Sequence, residues 1–248
     1  MRSLNSSRWP KLSVVIPALD EEREIGECLA SLADQTFPDF EVIVVDNGSR
    51  DATPAIAARY GARVIREPRR GPGYARETGF RAARGEIIAS TDADTRVPPD
   101  WLARIYRVFE EDPAVVAAFG PIRAKPSSAP SALGNRLLPL LETGIKVGQR
   151  LAWHTRAPLF SGANFAVRRE AFHRVHGFRS PRDARIYVTS EDILLGLKVC
   201  RLGKVLYLPD LVVWTSARKV EPSPQWTLRW LLAVSRMAGR ALLGERAF

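Results

Sequence analysis

Cysteine is scarce in this chain: Cys28 and Cys200 stand far apart and outside any C-x-x-C spacing. That argues against a disulfide framework or a cysteine zinc site, and it fits buried thiols in a reducing compartment. Histidine is nearly as sparse, at three residues, His154, His173 and His176. His173 and His176 stand three apart on an expected helix and read as a surface pair rather than metal ligands. No uninterrupted apolar window of ~18 residues occurs, so a membrane-spanning helix is not expected. The opening MRSLNSSRWPK has no apolar run behind its basic residue and does not read as a secretory signal. Acid is the minority charge, with 27 Asp and Glu against 37 Lys and Arg, a formal net charge of +10. Such an excess attracts phosphates, nucleic acid or an anionic bilayer, although an arginine-rich proteome produces it with no partner at all.

What is present is enough for a full core. With 248 residues, 46% hydrophobic and 26% charged, the chain can form one large domain, or a domain with an appendage. KLSVVIPALDEE opens with a β-branched run that Pro17 ends, a buried strand and then a loop. From Glu21 to Leu32 the apolar Ile25, Leu29 and Leu32 recur at helical spacing. FEVIVVDNGSRDAT repeats the pattern: a strand from Glu41 to Val45, a turn at Asp46-Asn47-Gly48-Ser49, and Asp51 or Thr53 capping a helix with Ile56 and Ala57. ARVIREP makes a third strand, GPGYARETGFRAARG a Gly/Pro loop entering a helix, and EIIAST a fourth strand. Strands alternating with helices at intervals of about 25–30 residues imply parallel β-α-β units.

In such sheets ligands bind beyond the carboxyl ends of the strands. Here those ends carry Asp20 and Glu21, then Asp46, Asn47 and Ser49, then Asp92 and Asp94. Any one of these aspartates reads first as turn chemistry. Three acidic strand ends on one rim read as a site.

The second half changes character. PIRAKPSSAPSALGN is a Pro/Ser-rich connector, and RLLPLLETGIKVGQRLAW is an apolar stretch broken by Arg136, Lys146 and Arg150. SGANFAVRREAFHRVHGF reads as a strand entering a helix. In VTSEDILLGLKVCRLG, Ile193, Leu194, Leu197 and Val199 pack, while Glu191 and Asp192 open the helix. The helix dipole favours carboxylates there, so a plain cap is the simplest reading of that pair. KVLYLPDLVVWTS reads as a final strand pair.

The segments VVIPALDEE, VVDNGSRDAT, GPGYARETGFRAARGEIIASTDADT, SGANFAVRREAFHRVHGF and SEDILLGLKV stand in one order over roughly residues 12–213. Taken together this order resembles the inverting family 2 glycosyltransferases of the GT-A fold. The resemblance implies an α/β domain with a Rossmann-like, mostly parallel central sheet flanked by helices. It implies a nucleotide-diphosphate sugar as donor and Mg2+ or Mn2+ as cofactor. Such ions prefer oxygen ligands and often take only one or two protein carboxylates, leaving phosphates and waters to complete the shell. In extended geometry residues i and i+2 point to one side, so Asp92 and Asp94 can face one ligand. By resemblance Asp94 binds the metal, Asp92 binds ribose or shares the metal, and Ala93 lies between them at the donor. The loop with Pro17, Leu19 and Glu21, together with Asp46, takes the nucleoside. Gly71 and Gly73 form a loop able to approach the nucleotide, and Arg76 either approaches the diphosphate or is a solvated helix residue.

An inverting transfer needs a base on the face opposite the leaving group. The family's E-D pair maps that base to Asp192, beside Glu191, and Gly162, Ala163 and Asn164 to the floor of the sugar and acceptor pocket. This chain departs from the family pattern in three places. Asn47 stands where many members have aspartate, and Glu77 where they have asparagine. No histidine stands in WTSARKV, where a metal ligand often follows the last core strand. QWTLRW resembles the Q-x-x-R-W of processive glycan synthases with one residue too many.

The tail QWTLRWLLAVSRMAGRALLGERAF sets Arg229, Arg236 and Arg240 in one helical stripe against Leu228, Leu231, Val234, Ala238 and Leu242, flanked by Trp226 and Trp230. A basic amphipathic helix with tryptophans reads as interfacial, and a helix packed on the domain with its arginines exposed is the alternative. The apolar residues around Leu137–Leu141 offer a second contact. The expected organisation is thus an extension at 1–11, a GT-A domain at 12–220 and a basic helix at 221–248. Within the domain, 12–123 is the nucleotide-sugar half and 124–220 the acceptor half. The expected acceptor is lipid-linked, a polyprenyl phosphate or a glycan, met by a cytoplasmic protein peripheral on the inner face of the membrane. UDP-sugars are favoured as donors, with GDP-mannose suiting the same rim. A nucleotidyltransferase of similar sheet would want a glycine-rich basic loop where PALDEE is acidic. A non-catalytic nucleotide-sugar binder would have no need of Asp92, Asp94, Glu191 and Asp192 together. A nucleic-acid binder would want interleaved aromatic and basic residues, and here the rim is acidic.

Overall fold

The computed structural model describes residues 9–125, 160–178 and 191–216. Strands β1 (Leu12–Ala18), β2 (Phe40–Asp46), β3 (Arg63–Arg66) and β4 (Ile87–Ser90) pair in parallel, and helices α1 (Ile25–Ala33), α2 (Thr53–Arg59) and α3 (Pro72–Ala82) connect them. Next come β5 (Thr95–Arg96), α4 (Trp101–Glu111), β6 (Val115–Phe119) and β7 (Ile122–Ala124). Last come β8 (Phe165–Arg168), α5 (Arg169–Arg174), α6 (Glu191–Val199), β9 (Lys204–Tyr207) and β10 (Val213–Thr215). The main sheet runs β3-β2-β1-β4-β8-β6-β9, and β8 alone is antiparallel to its neighbours. A second sheet, β5-β10-β7, is small and lies at the end of β4.

Alternation explains why β1 can lie inside the sheet with both faces covered. Val14 and Ile16 enter one core with Ile25, Leu29 and Trp101, while Val15 enters the other with Phe80, Phe165 and Phe172. A strand covered on both faces can be apolar at every position, which is why its sequence is a continuous run. Gly79 settles how α3 docks. A Cβ there would stand 2.3 Å from Val15 Cγ1 and 2.9 Å from Val45 Cγ2, so any side chain would lift the helix off the sheet. Arg76 lies three residues earlier on the same helical face and is thereby carried over the strand ends.

Three expectations change. β9 and β10 are not partners: β9 extends the main sheet beside β6, and β10 enters the small one. The cap position of α2 is held by Ala52 and not by Asp51 or Thr53, although Asp51 Oδ1 accepts the Thr53 N–H at 2.9 Å at the helix start; the Thr53 hydroxyl accepts the Glu21 N–H at 2.8 Å. α1 starts at Ile25, after a turn over 22–24, because Glu24 and Ile25 both donate backbone N–H groups to the Glu21 carbonyl. The amphipathic α4 and the strand β6 carry no motif, and they were not singled out in the sequence. The expected C-terminal helix at 221–248, the Leu137–Leu141 stretch and His154 lie outside the described residues. Among the described residues no helix is long and apolar enough to cross a membrane.

Candidate functional site

The rim begins with two loops tied to each other. Asp20, at φ 53°, donates its N–H to Ser49 Oγ at 3.0 Å, and its Oδ1 accepts the Arg50 N–H at 2.7 Å. The Glu22 N–H reaches Asp51 Oδ2 at 3.0 Å, and the Ala52 N–H reaches Glu22 Oε2 at 3.2 Å. These reciprocal bonds hold the loop after β1 against the loop after β2. Pro17 is half-buried, Glu21 is buried, and Leu19 projects with 37% of its surface exposed. Asp46 is buried at the end of β2 and accepts the Ser49 N–H at 2.9 Å. The nucleoside residues expected from the sequence therefore share one end of the sheet.

Asn47 explains its own departure from the family pattern. Its amide nitrogen donates to the carbonyls of Glu67 (2.9 Å) and Arg69 (2.7 Å), and its oxygen accepts the Gly71 N–H at 2.8 Å. A carboxylate could accept the last bond but could not donate the first two. The residue thus pins the glycine loop in which Gly71 takes φ 136°, a conformation suited to glycine. Gly73 follows, buried in the first turn of α3.

Arg76 is not a solvated helix residue. It is buried, donates to Asp92 Oδ1 at 2.6 Å, and forms a second ion pair with Glu191 from the opposite half of the chain. Burial by itself would pull the guanidinium pKa down, and the charges of Asp92, Glu191 and Asp192 more than offset it. Only an arginine presents a planar fork able to hold two carboxylates at once while remaining charged. Glu191 and Asp192 occupy the first turn of α6, and they do more than cap it. Asp192 accepts the Gly162 N–H at 2.7 Å and the Ile193 N–H at 2.8 Å. Burial, then the neighbouring Glu191 carboxylate, push Asp192 up to about 6, against the opposing pull of Arg76 and the two N–H donors.

Asp92 and Asp94 are held differently from each other. The Thr95 N–H bonds to the Asp92 carbonyl at 3.0 Å, so the segment is a tight turn and not the extended run expected from the sequence. Asp92 turns to Arg76, whereas Asp94, 1% exposed, accepts a bond from the Thr215 hydroxyl at 3.0 Å. Ala93 is buried between them. Beneath the turn, Cys28 Sγ–H reaches the Asp92 carbonyl at 3.4 Å. Burial, with the charges of Asp94 and Asp92, pushes this thiol up and keeps it neutral. Ser90 and Thr215 were both missed in the sequence. Ser90 donates to the Gly162 carbonyl at 2.7 Å, and no local signal marks it. Thr215 stands in the WTSARKV stretch, which its sequence marks only by the lack of a histidine.

The SGAN segment divides in two. Gly162 touches the site through its N–H and through the face it turns to Arg76. Asn164 is fully buried: its Oδ1 accepts the Trp101 indole N–H at 2.9 Å, and its amide donates to the carbonyls of Pro121 (3.0 Å) and Leu211 (2.6 Å). With those bonds made inward, the side chain joins α4 to two loops instead of lining a pocket floor, and Ala163 is buried beside it. Asn164→Ala should cost about 1–3 kcal/mol by taking a partner from the indole and the Leu211 carbonyl, while the Pro121 carbonyl keeps the Val213 N–H at 3.2 Å. A thermal melt shifted down by several degrees, with nucleotide affinity unchanged in the folded protein, is the expected result. Lost affinity at full stability would return Asn164 to the pocket.

Comparison with known proteins places this geometry. The family model for glycosyl transferase family 2 matches residues 13–175. The putative glycosyltransferase EpsH of Bacillus subtilis (strain 168) is 36% identical over 112 residues, 43% of this chain and 33% of its own length. The low-salt glycan biosynthesis hexosyltransferase Agl6 of Haloferax volcanii is 32% identical over 185 residues, 66% of this chain and 44% of its own. The chain thus spans less than half the length of either relative. Among solved structures, the mannosyltransferase PcManGT from Pyrobaculum calidifontis, in complex with GDP-Man and Mn2+, superposes with a TM-score of 0.67 at 26% identity. The match covers 87% of this chain and 59% of that one. Glucosyl-3-phosphoglycerate synthase from Mycobacterium tuberculosis, with Mn2+ and UDP, shares the fold at a TM-score of 0.58 and 24% identity, over 95% and 79% of the two chains. With the family model spanning most of the chain and a sheet of the same GT-A architecture beneath it, this protein belongs to glycosyl transferase family 2.

Proposed function

We propose that the protein is an inverting, divalent-metal-dependent glycosyltransferase that moves a sugar from a nucleotide-diphosphate donor to an acceptor hydroxyl or phosphate. The observation that carries this reading is the Arg76 bridge, which joins Asp92 of the donor rim to Glu191, directly beside Asp192. The donor half (12–123) and the acceptor half (124–220) thereby meet at one buried guanidinium.

The residues present suit a divalent ion. Asp92, Glu191 and Asp192 stand against Arg76, and Asp94 follows in the same turn as Asp92, an excess of negative charge at one mouth of the sheet. Among the described residues no three Asp, Glu, His or Cys converge as an all-protein cage, so diphosphate oxygens and water would supply the rest of the shell. Asp94 would hold the ion, with Asp92 shared between it and the ribose. When bound, Mg2+ or Mn2+ supplies positive charge to the departing diphosphate. Arg76 uses two of its five N–H donors on carboxylates, and its Nε is buried, so it stands within the site as a second cation for phosphate oxygens. Asp192 takes the proton of the acceptor hydroxyl as its oxygen attacks the anomeric carbon and the bond to the diphosphate breaks.

UDP-sugars are the favoured donors and GDP-mannose the alternative; the neighbours solved with UDP and with GDP-Man support both. The acceptor is a lipid-linked glycan, a polyprenyl phosphate or a free glycan at the cytoplasmic membrane surface. The basic character of the tail supports that placing. A panel of UDP- and GDP-sugars with Mg2+ or Mn2+, followed by nucleotide release with and without polyprenyl phosphate, tests the proposal. One donor should give metal-dependent release that acceptor accelerates. Tight binding of a nucleotide with no release under any acceptor would overturn the catalytic reading.

A further inference from the structure

We infer that Thr215 is a positioning residue for Asp94, its hydroxyl setting the orientation in which that carboxylate meets a divalent cation. The inference rests on the metal-dependent reading above. It starts from a contact across 121 residues of sequence: Thr215 Oγ1 donates to Asp94 Oδ1 at 3.0 Å. The hydroxyl is not free to choose another partner. Thr95 Oγ1 donates to Thr215 Oγ1 at 3.1 Å, which occupies a lone pair and directs the single Thr215 proton to Asp94.

The backbone around Thr215 is fixed from both sides. β10 pairs antiparallel with β5, Thr215 opposite Thr95, and parallel with β7, Thr215 opposite Ala124. The Lys125 N–H adds a bond to the Thr215 carbonyl at 2.8 Å. A cross-strand threonine pair is by itself an ordinary sheet contact. Here the pair extends to Asp94, which belongs to neither strand and sits in the turn between β4 and β5. The small sheet therefore does more than end the fold, since it delivers a proton donor to the buried carboxylate of the donor rim. A carboxylate anchored through one oxygen keeps a defined direction for its remaining lone pairs, and partners that orient ligands in this way control metal affinity.

The test uses the whole chain and Mn2+ itself, titrated by electron paramagnetic resonance in the presence of UDP or GDP. Thr215→Val keeps the branched shape and the strand preference while removing the proton. It should weaken Mn2+ binding by about 10–100-fold and leave metal-free nucleotide binding close to wild type, with a lower melting temperature because the buried Asp94 and Thr95 oxygens each lose a partner. Thr215→Ser should restore the affinity, and Thr215→Cys, a weak donor of similar size, should fall between. That ordering supports the inference even where the valine variant folds poorly. Equal Mn2+ affinity across the series overturns it and leaves the metal-dependent reading standing. A wild-type chain that takes up no Mn2+ with either nucleotide overturns the metal reading, and the role of Thr215 with it.

Discussion

Asp192→Asn should lower transfer by about 10²–10⁴-fold while leaving donor binding near wild type, the loss typical of removing a general base. The position of Asp192 makes the effect separable from binding. It touches the Gly162 and Ile193 N–H groups, while the donor rim is built on Asp46, Asp92 and Asp94. Asparagine is close in size but not a perfect replacement. Both carboxylate oxygens of Asp192 accept backbone N–H bonds, and an amide can accept only one of them, so a stability loss of about 1 kcal/mol accompanies the substitution. The pH profile gives a second readout. Burial and Glu191 raise Asp192 from 3.8 to about 6, and the base acts only when ionised. The rate should therefore rise with pH through about 6 and level above it, as the proton leaves Asp192. In the asparagine variant that limb should vanish. Wild-type turnover in the variant, or a profile that keeps the limb, would remove Asp192 from the chemistry.

Gly162→Ala is expected to be strongly disruptive for the addition of a single methyl group. A Cβ at this position would stand 2.1 Å from Arg76 Nη2 and 2.3 Å from Cζ. No carbon fits at that distance. The guanidinium has no easy retreat, because Asp92 and Glu191 hold it and the residue is 6% exposed. Displacing it leaves buried carboxylates facing one another, and breaking a buried pair typically costs about 3–5 kcal/mol. For a domain of this size each kcal/mol lowers the melting temperature by about 2–4 °C. The variant should melt at least ~6 °C lower and bind nucleotide-diphosphate sugar much more weakly. A double-mutant cycle isolates the cause. In an Arg76→Ala background the clash is gone, so adding Gly162→Ala should cost little more. Additive losses would mean that the methyl group acts through the backbone instead.

The distinction between local and long-range signals explains what could be read in advance. The strands β1, β2, β3 and β4 are short runs ending at Ala18, Asp46, Arg66 and Ser90, so their alternation with helices follows from local composition, although β1 runs through Pro17 and does not stop at it. The rim followed from them, because parallel strands put their carboxyl ends on one side. Asn47 and Glu77 were visible as departures, but their reasons were not. Glu77 accepts the Phe178 N–H at 2.9 Å beneath a turn in which Gly177 takes φ 68°, a partner 101 residues away. The resemblance put Asn164 on the pocket floor with Gly162. The backbone turns between them, and the amide goes inward to Trp101.

Length, composition and strand-end chemistry by themselves determined that this chain is an α/β protein with an acidic rim, and the order of its motifs pointed to the family. Those properties are local: they depend on which residues follow one another within a strand, a turn or a helix. Only the tertiary structure decided that Arg76 joins Asp92 to Glu191, that Gly162 must remain bare beneath it, and that Thr215 reaches Asp94. The Arg76–Glu191, Gly162–Arg76 and Thr215–Asp94 contacts each cross from one half of the chain to the other. No periodicity carries such a pairing, because the energy of an ion pair or hydrogen bond depends on a few ångströms of separation and not on distance along the chain.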